Sequence, residues 1–167
     1  MGKLTFGCFH CVQQCQRTIN LLIRRELSME ALERITERVC RNGHPDDPET
    51  PRPLLSIDEF FEGNDVVGSI GCNLIDIPHP NEFFKVFKAI SHRPDVKDIR
   101  IQVSAFDDPD WPFSDTVYIM TSASESEVGS WFPEHLKPDE IWEGFVNQDY
   151  EAYEIPTETR PVAVWWD

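Results

Sequence analysis

Residues 109–121 read PDWPFSDTVYIMT, and the fold is interpreted outward from this segment. Its two prolines predict a loop, and the β-branched and aromatic residues from Thr116 to Thr121 predict a strand that begins abruptly at a turn. Ser122 and Ser124 each stand three residues before a glutamate, which is the pattern that begins a helix. A loop, a strand and a helix start are therefore predicted in direct succession.

Apolar residues alternate or recur at helical spacing on both sides of this stretch. The alternation predicts further strands over residues 69–77, 98–106 and 162–166. Spacing and capping signals predict helices over residues 81–92, from Glu125 onward, from Ser56 to Phe61 and at Pro138. From residue 69 the order is strand, helix, strand, strand, helix, strand. It favours an α+β fold whose four-stranded antiparallel sheet has the ferredoxin-like βαββαβ arrangement.

The two faces of this sheet differ in polarity. We expect one face to meet the helices and to be formed by Ile70, Cys72, Leu74, Ile99, Ile101, Val103, Val117 and Ile119. We expect the opposite face to be lined by Asn73, Gln102, Ser104, Tyr118 and Met120.

The chain ahead of residue 54 has a different composition. Apolar residues at helical spacing predict a helix over residues 5–26 and a second one from Ser28 to Gly43, together a helical hairpin extension over residues 1–43. Residues 44–53 hold four prolines and are predicted to be an extended linker. The α+β domain then covers residues 54–167. The hairpin either covers part of the polar sheet face or stands apart from the domain.

Charge is unevenly distributed along the chain. The formal net charge is −15, and residues 56–167 hold seven Lys and Arg against twenty-three Asp and Glu, which gives −16 for that part. Such a surface repels nucleic acid and anionic lipid and attracts basic partners, unless it serves only solubility. No apolar run reaches the roughly 18 residues of a membrane span, and residues 1–25 do not have the shape of a signal peptide. We therefore expect a cytoplasmic protein, with five reduced cysteines.

One possible metal site combines the N-terminal cysteines with residues further along. Cys8, Cys11, Cys40 and His44 supply the three thiolates and one imidazole of a tetrahedral zinc site. The alternative is structural, because Cys8, Cys11 and Cys15 share one helical face with apolar residues and resemble small buried hydrophobes. The structural interpretation is favoured, so no cofactor is expected.

The acidic loop before the central strand offers other chemistry. Asp107, Asp108, Asp110 and Asp115 provide carboxylates for a hard cation or for general acid–base catalysis, although their spacing is not that of an EF-hand. In the alternative, Asp115 accepts hydrogen bonds at the turn and the other acids are solvated. Cys72 with His79 or His92 is a further nucleophile candidate, but it lies outside any nucleophile motif.

The same loop is the candidate contact surface for a partner. Tryptophan and tyrosine are frequent at the energetic centres of interfaces, and Trp111 between its prolines is poorly explained by a core. We expect the partner-binding residues to be Asp107, Asp108, Asp110, Trp111, Asp115 and Tyr118. The favoured function is a small acidic domain that masks a basic protein partner, as an immunity protein or antitoxin does. The alternative is a metal-dependent or hydrolytic enzyme that uses the acidic loop or the Cys/His set.

Four motifs together resemble a known family. They are EFFEGN at residues 59–64, GSIGCNL at 68–74, WPFSDTVY at 111–118 and the terminal WWD at 165–167. Their spacing is similar to that of a family of small uncharacterised bacterial proteins, over roughly residues 54–167. The resemblance implies no reaction, cofactor or catalytic residue. The first 50 residues are expected to fall outside it.

Overall fold

A computed structural model of the protein describes residue 26 and residues 29–146 and 149–167. The five strands are β1 (Leu54–Ser56), β2 (Val96–Gln102), β3 (Thr116–Thr121), β4 (Glu140–Glu143) and β5 (Arg160–Trp165). The helices are α1 (residues 29–39), α2 (Ile57–Phe61), α3 (Pro80–Ser91) and α4 (Glu125–Gly129), with 3-10 turns at Cys40–Asn42 and Glu134–Leu136. All strand pairs are antiparallel, in the order β1-β2-β3-β5-β4. The helix predicted over residues 5–26 lies outside the described residues, except for residue 26, which is helical.

The central strand and its flanking turns agree with the sequence. β3 has the predicted bounds, all six of its residues are buried, and it pairs with β2 on one side and β5 on the other. Ser124 caps α4, since its hydroxyl accepts the N–H of Glu127 while the Glu127 carboxylate accepts the N–H of Ser124. A second capping box joins Ser56 to Glu59 at the start of α2. The local signals of these segments are strong enough to set their structure.

The predicted sheet is corrected in its strand count and its order. The fold is α+β with an antiparallel sheet, but the sheet has five strands rather than four and the ferredoxin-like βαββαβ order is not confirmed. From residue 54 the elements follow as β1, α2, α3, β2, β3, α4, β4 and β5. Both unpredicted strands, β1 and β4, lie at the edges of the sheet.

Each wrong prediction has a physical reason. Residues 69–77 form turns rather than a strand, with positive φ at Gly71 (62°) and Asp76 (55°), and Ile75 is 91% exposed. The alternating residues belong to a loop in which Ile70 is the one fully buried large apolar residue, and it forms a bridge with Ser114. The helix predicted at Pro138 is instead β4, because pairing with β5 outweighs the weak local signal of a start at a proline.

The division of the sheet into two faces is confirmed for its central strands. Ile99, Ile101, Val117 and Ile119 belong to the main core with α2 and α3. The other face holds a second buried cluster of Leu54, Tyr118, Met120 and Ala163. This face is covered by Trp142, Phe145, Tyr150 and Tyr153. We call residues 145–146 and 149–153 the strap.

The helix α1 joins the main core instead of covering the polar sheet face. Its Ala31, Ile35 and Val39 are buried in the same cluster as α2 and α3. Gly63, with φ of 82°, allows the close approach, since a Cβ there would lie 2.4 Å from the Ala31 Cβ. Residues 44–53 also lie against the body. The Nη1 of Arg52 donates to the Pro45 carbonyl at 2.6 Å and to the Ser104 carbonyl at 2.9 Å.

Arg38 connects α1 to two other segments. Its Nε donates to Glu59 at 3.0 Å, its Nη1 donates to Glu151 of the strap at 2.9 Å, and its Nη2 contacts Glu151 and the Leu54 carbonyl. The Arg38 side chain is 13% exposed and that of Glu151 is 16% exposed. Burial disfavours the charged guanidinium, but the carboxylates of Glu151 and Glu59 outweigh it and raise the pKa of Arg38 above its usual value.

Candidate functional site

The sheet register gathers acidic residues from separate segments at one end of the molecule. Thr116 at the start of β3 pairs with Trp165 near the end of β5, and Trp165 pairs with Glu140 at the start of β4. The loop before β3, the last residues of the chain and the turn before β4 therefore lie at the same end of the sheet. The carboxylates at this end are those of Asp107, Asp108, Asp110, Asp115, Asp139, Glu140 and Asp167, together with Asp46, which accepts the N–H of Phe106, and we call this set the acidic end.

Asp107, Asp108 and Asp110 form the most exposed part of the acidic end. All three side chains are exposed, and among the described residues none of them belongs to an ion pair. The Asp108 Oδ1 accepts the N–H of Asp110 at 2.8 Å, which shapes the turn. Three uncompensated negative charges thus stand next to one another on an ordered turn.

Trp111 anchors this loop and is not part of its surface. The residue is 2% exposed, and its indole N–H donates to the Phe60 carbonyl at 3.0 Å. After it, the N–H of Phe113 donates to the Ala105 carbonyl at 2.8 Å, and the N–H of Ser114 donates to the Ser69 carbonyl at 2.9 Å. The expected exposure of Trp111 is therefore corrected, because an indole ring with a partner for its N–H gains more from burial than from solvent.

Asp115 is half-buried and connects the loop to its neighbours. Its Oδ1 accepts the hydroxyl of Ser104 at 2.6 Å and that of Thr116 at 2.7 Å. Its carbonyl accepts the N–H of Trp166 at 3.0 Å. Asp115 thus fulfils the turn-acceptor role considered from the sequence, with side-chain hydroxyls as donors in place of backbone N–H groups.

Tyr118, which was expected in the contact surface, is buried instead. It is fully buried beneath the strap, and its hydroxyl lies 3.0 Å from the Gln102 Oε1 and 2.6 Å from the Tyr150 hydroxyl. The N–H of Val146 donates to the same hydroxyl at 3.3 Å. Burial first, and the hydrogen bond with Tyr150 second, raise the pKa of Tyr118 far above its usual value. A neutral, fully bonded phenol of this kind stabilises the second face of the sheet.

Asp46 joins the acidic end although nothing in the sequence distinguishes it. Its Oδ1 accepts the N–H of Phe106 at 2.9 Å, immediately before the acidic loop. The His44 ring stacks on the Phe106 ring at 6.3 Å with an interplanar angle of 13°. In the sequence, Asp46 is one acid among others in a proline-rich segment. It belongs to the acidic end because that segment packs on residues 104–106.

The structure describes two of the four proposed zinc ligands. Cys8 and Cys11 lie outside the described residues. Cys40 is half-buried and unbridged, and His44 is exposed with its Nδ1 3.4 Å from the Asp46 Oδ2. Within residues 29–146 and 149–167, no group of three or more His, Cys, Asp or Glu residues is placed to hold a metal ion. The zinc site therefore stays a prediction.

Cys72 and His79, which were considered as a nucleophile pair, have different structural positions. Cys72 lies in a turn and not in a strand, and His79 caps α3.

In the part of the chain that the structure describes, no helix has both the length and the apolar character needed to cross a membrane.

Comparison with known proteins gives one family and one curated relative. The model of the family described as "Uncharacterized protein YfbO family" matches residues 30–164. "Uncharacterized protein YfbO" of Escherichia coli (strain K12) is 45% identical over 140 residues, which cover 83% of this chain and 100% of that relative. No solved structure matches the chain. The family match includes α1 and thus begins earlier than the resemblance at residue 54 suggested, which agrees with the packing of α1 into the main core.

Proposed function

We propose that this chain, which belongs to the uncharacterised YfbO family, binds a basic protein partner through the acidic end and masks it. An immunity protein or an antitoxin that neutralises a cationic toxin has this role. The proposed place of action is the cytoplasm. The name of the relative from Escherichia coli states no activity, so the proposal rests on the surface of this chain.

The observation that carries the proposal is the uncompensated charge of Asp107, Asp108 and Asp110. Some acids elsewhere are neutralised within the chain, as Asp58 is by Lys88 and Asp98 is by Arg100. At the acidic loop the chain supplies no such cation among the described residues. Complementary charge from a partner would fill that role, speed association and select a basic surface over others.

The rigidity of the loop supports the same proposal. The Trp111 indole is buried under α2, and the backbone on its C-terminal side is bonded to Ala105 and Ser69. The acids are thus presented on a fixed turn and lose little conformational freedom on binding, which lowers the entropic cost of association. Asp115 and Asp46 are also held by hydrogen bonds and would form the edges of the contact surface.

The test begins with affinity capture of the tagged protein from cells of its native host. We expect one basic protein to be retained at low salt and released at about 1 M NaCl, where the Debye length falls to about 3 Å. That protein is then purified, and its own activity is measured with and without stoichiometric amounts of this chain. Masking predicts loss of that activity.

Two charge-matched variants locate the surface. Asp107→Asn, Asp108→Asn and Asp110→Asn together should lower the affinity by about tenfold or more, mainly by slowing association, while each Asn keeps the oxygen that shapes the turn. Asp76→Asn, Glu154→Gln and Glu158→Gln remove the same total charge elsewhere and should change the affinity little. Equal affinity of both triple variants, or a captured partner that is not basic, would sink the proposal.

A further inference from the structure

We propose that a groove between α2 and α3 binds a small organic cation, with a primary ammonium or guanidinium group as the part recognised. The groove has a volume of about 680 Å³, and it lies between the loop that follows α2 and the first turn of α3. Sites for small molecules typically have volumes of about 300–1,000 Å³, so its size suits a molecule or a side chain of this kind. No residue of the acidic end lines the groove, and the inference does not depend on the proposed function.

The lining of the groove combines carboxylates with aromatic rings. Asp58, Glu62 and Asp65 provide three carboxylates, and no lysine or arginine of the described residues lines the groove. Phe61 and Phe84 also line it, with their ring centroids 5.7 Å apart and their planes inclined by 35°. An aromatic face attracts a cation through its quadrupole, and the carboxylates attract it by charge, so the two together select against neutral and anionic ligands.

The chain's own Lys88 demonstrates this preference at the edge of the groove. Its Nζ lies 2.7 Å from the Asp58 Oδ1 and 5.5 Å from the centroid of the Phe84 ring. An ammonium group is therefore held by one carboxylate and one aromatic face of this same wall. The chemistry proposed for the ligand is the chemistry that an internal ammonium already uses here.

Two of the three carboxylates remain largely available to a ligand. The side chains of Glu62 and Asp65 are 69% and 78% exposed. Among the described residues, the Arg34 Nη1 lies 4.0 Å from Glu62 and the His79 Nε2 lies 3.7 Å from Asp65. Exposed pairs of this length contribute little, so an incoming cation displaces no strong partner in the described part of the chain.

The rim of the groove is held in shape before any ligand arrives. The Asn64 side chain is 4% exposed, donates to the Ser69 hydroxyl at 3.0 Å and accepts the N–H of Val66 at 3.0 Å. The His79 Nδ1 accepts the N–H of Asn81 at 3.1 Å, which fixes the ring and leaves its Nε2 beside Asp65. Such preorganisation reduces the entropic cost of binding.

The experiment is a nuclear magnetic resonance titration of the ¹⁵N-labelled full chain. The probes are cadaverine and agmatine as free cations, N-acetyl-lysine methylamide as a protein-like ammonium side chain, and 1-pentanol as a neutral molecule of similar length. We expect saturable shifts confined to the amides around Phe61 to Asp65 and His79 to Phe84 with the cations, and none with 1-pentanol. Binding of the lysine amide alone would assign the groove to a partner's side chain, and binding of the diamine would assign it to a free molecule.

Charge-matched variants distinguish binding in the groove from general attraction of cations to an acidic protein. Glu62→Gln with Asp65→Asn should weaken binding by about tenfold, a loss of the size expected when charged partners are removed from a cation. Glu154→Gln with Glu158→Gln removes the same charge outside the groove and should leave the affinity unchanged. Equal weakening in both variants, shifts spread over all acidic surfaces, equal binding of 1-pentanol, or no shifts with any cation would each overturn the inference. Because every probe is small, these outcomes are independent of whether the acidic end binds a protein.

Discussion

At the scale of single residues, Arg38 connects several segments of the chain. Its guanidinium joins α1 to Glu59 of α2 and to Glu151 of the strap, while the Glu151 Oε1 also accepts the N–H of Leu54 in β1. A planar guanidinium with several donors in fixed directions is suited to such a junction. The contact with Arg38 also affects the pKa of Glu59. Burial opposes its charge, but hydrogen bonds from Ser56 and the charge of Arg38 lower the pKa of Glu59 below its usual value.

We predict that Arg38→Ala destabilises the protein by about 3 kcal/mol, because loss of one partner leaves Glu151 largely buried without a counter-ion. Urea unfolding measures the change as a lower midpoint. Arg34→Ala is the control, since its pair with Glu62 spans 4.0 Å with both side chains more than 60% exposed, and it should cost less than about 0.5 kcal/mol. Equal midpoints for the two variants would contradict the prediction.

At the scale of elements, α3 shows how an unusual residue can begin a helix. His79 occupies the N-cap, its Nδ1 accepts the N–H of Asn81, and the Glu82 carboxylate accepts the N–H of His79 at 3.3 Å. Pro80 follows at the first helical position, where its missing N–H costs nothing. The helix was predicted from its apolar spacing, but its cap was not, because histidine is rare in that role.

We predict that His79→Ala lowers the free energy of unfolding by about 1 kcal/mol, whereas His79→Asn retains nearly all of it. Asparagine supplies a side-chain oxygen that can accept the same N–H, and alanine does not. Thermal and urea unfolding of the two variants measures the difference. Identical stability of the alanine and asparagine variants would show that the imidazole does not act as a cap.

At the scale of the whole molecule, negative charge exceeds what the fold can neutralise. The net charge is −15, and the described ion pairs engage only some of the acids. Self-repulsion of this kind favours a monomeric, well-dispersed protein but destabilises the compact state. The acidic end concentrates part of the excess, since sheet pairing brings its carboxylates together.

We predict that NaCl stabilises the protein. Between about 0.01 M and 1 M the Debye length falls from about 30 Å to 3 Å, so repulsion between separated carboxylates is screened. The melting temperature should therefore rise, by roughly 2–4 °C for each kcal/mol gained. The variant with Asp76→Asn, Glu154→Gln and Glu158→Gln should melt higher at low salt and respond less to NaCl. A melting temperature that falls with salt would show that attractive ion pairs dominate.

The features whose signals are local could be predicted from the sequence. β3 follows from its run of β-branched and aromatic residues, α2 and α4 from their capping boxes, and α3 from its apolar spacing. The separation of Ile99 and Ile101 from Tyr118 and Met120 follows from the two-residue period of strands. The excess of negative charge and the acids of the loop are also evident directly from the sequence.

Features that depend on partners distant in the sequence became visible only in the folded structure. The edge strands β1 and β4 exist because β2 and β5 pair with them, and neither has a strong pattern of its own. Trp111 and Tyr118 are buried because a carbonyl of α2 and the strap lie over them, far away in sequence. Asp46 lies beside the acidic loop only through packing, and Glu140 lies at the same end of the sheet only through strand register. Such long-range contacts carry no local signature, so the acids of the loop could be found in the sequence, and the other carboxylates of the acidic end could not.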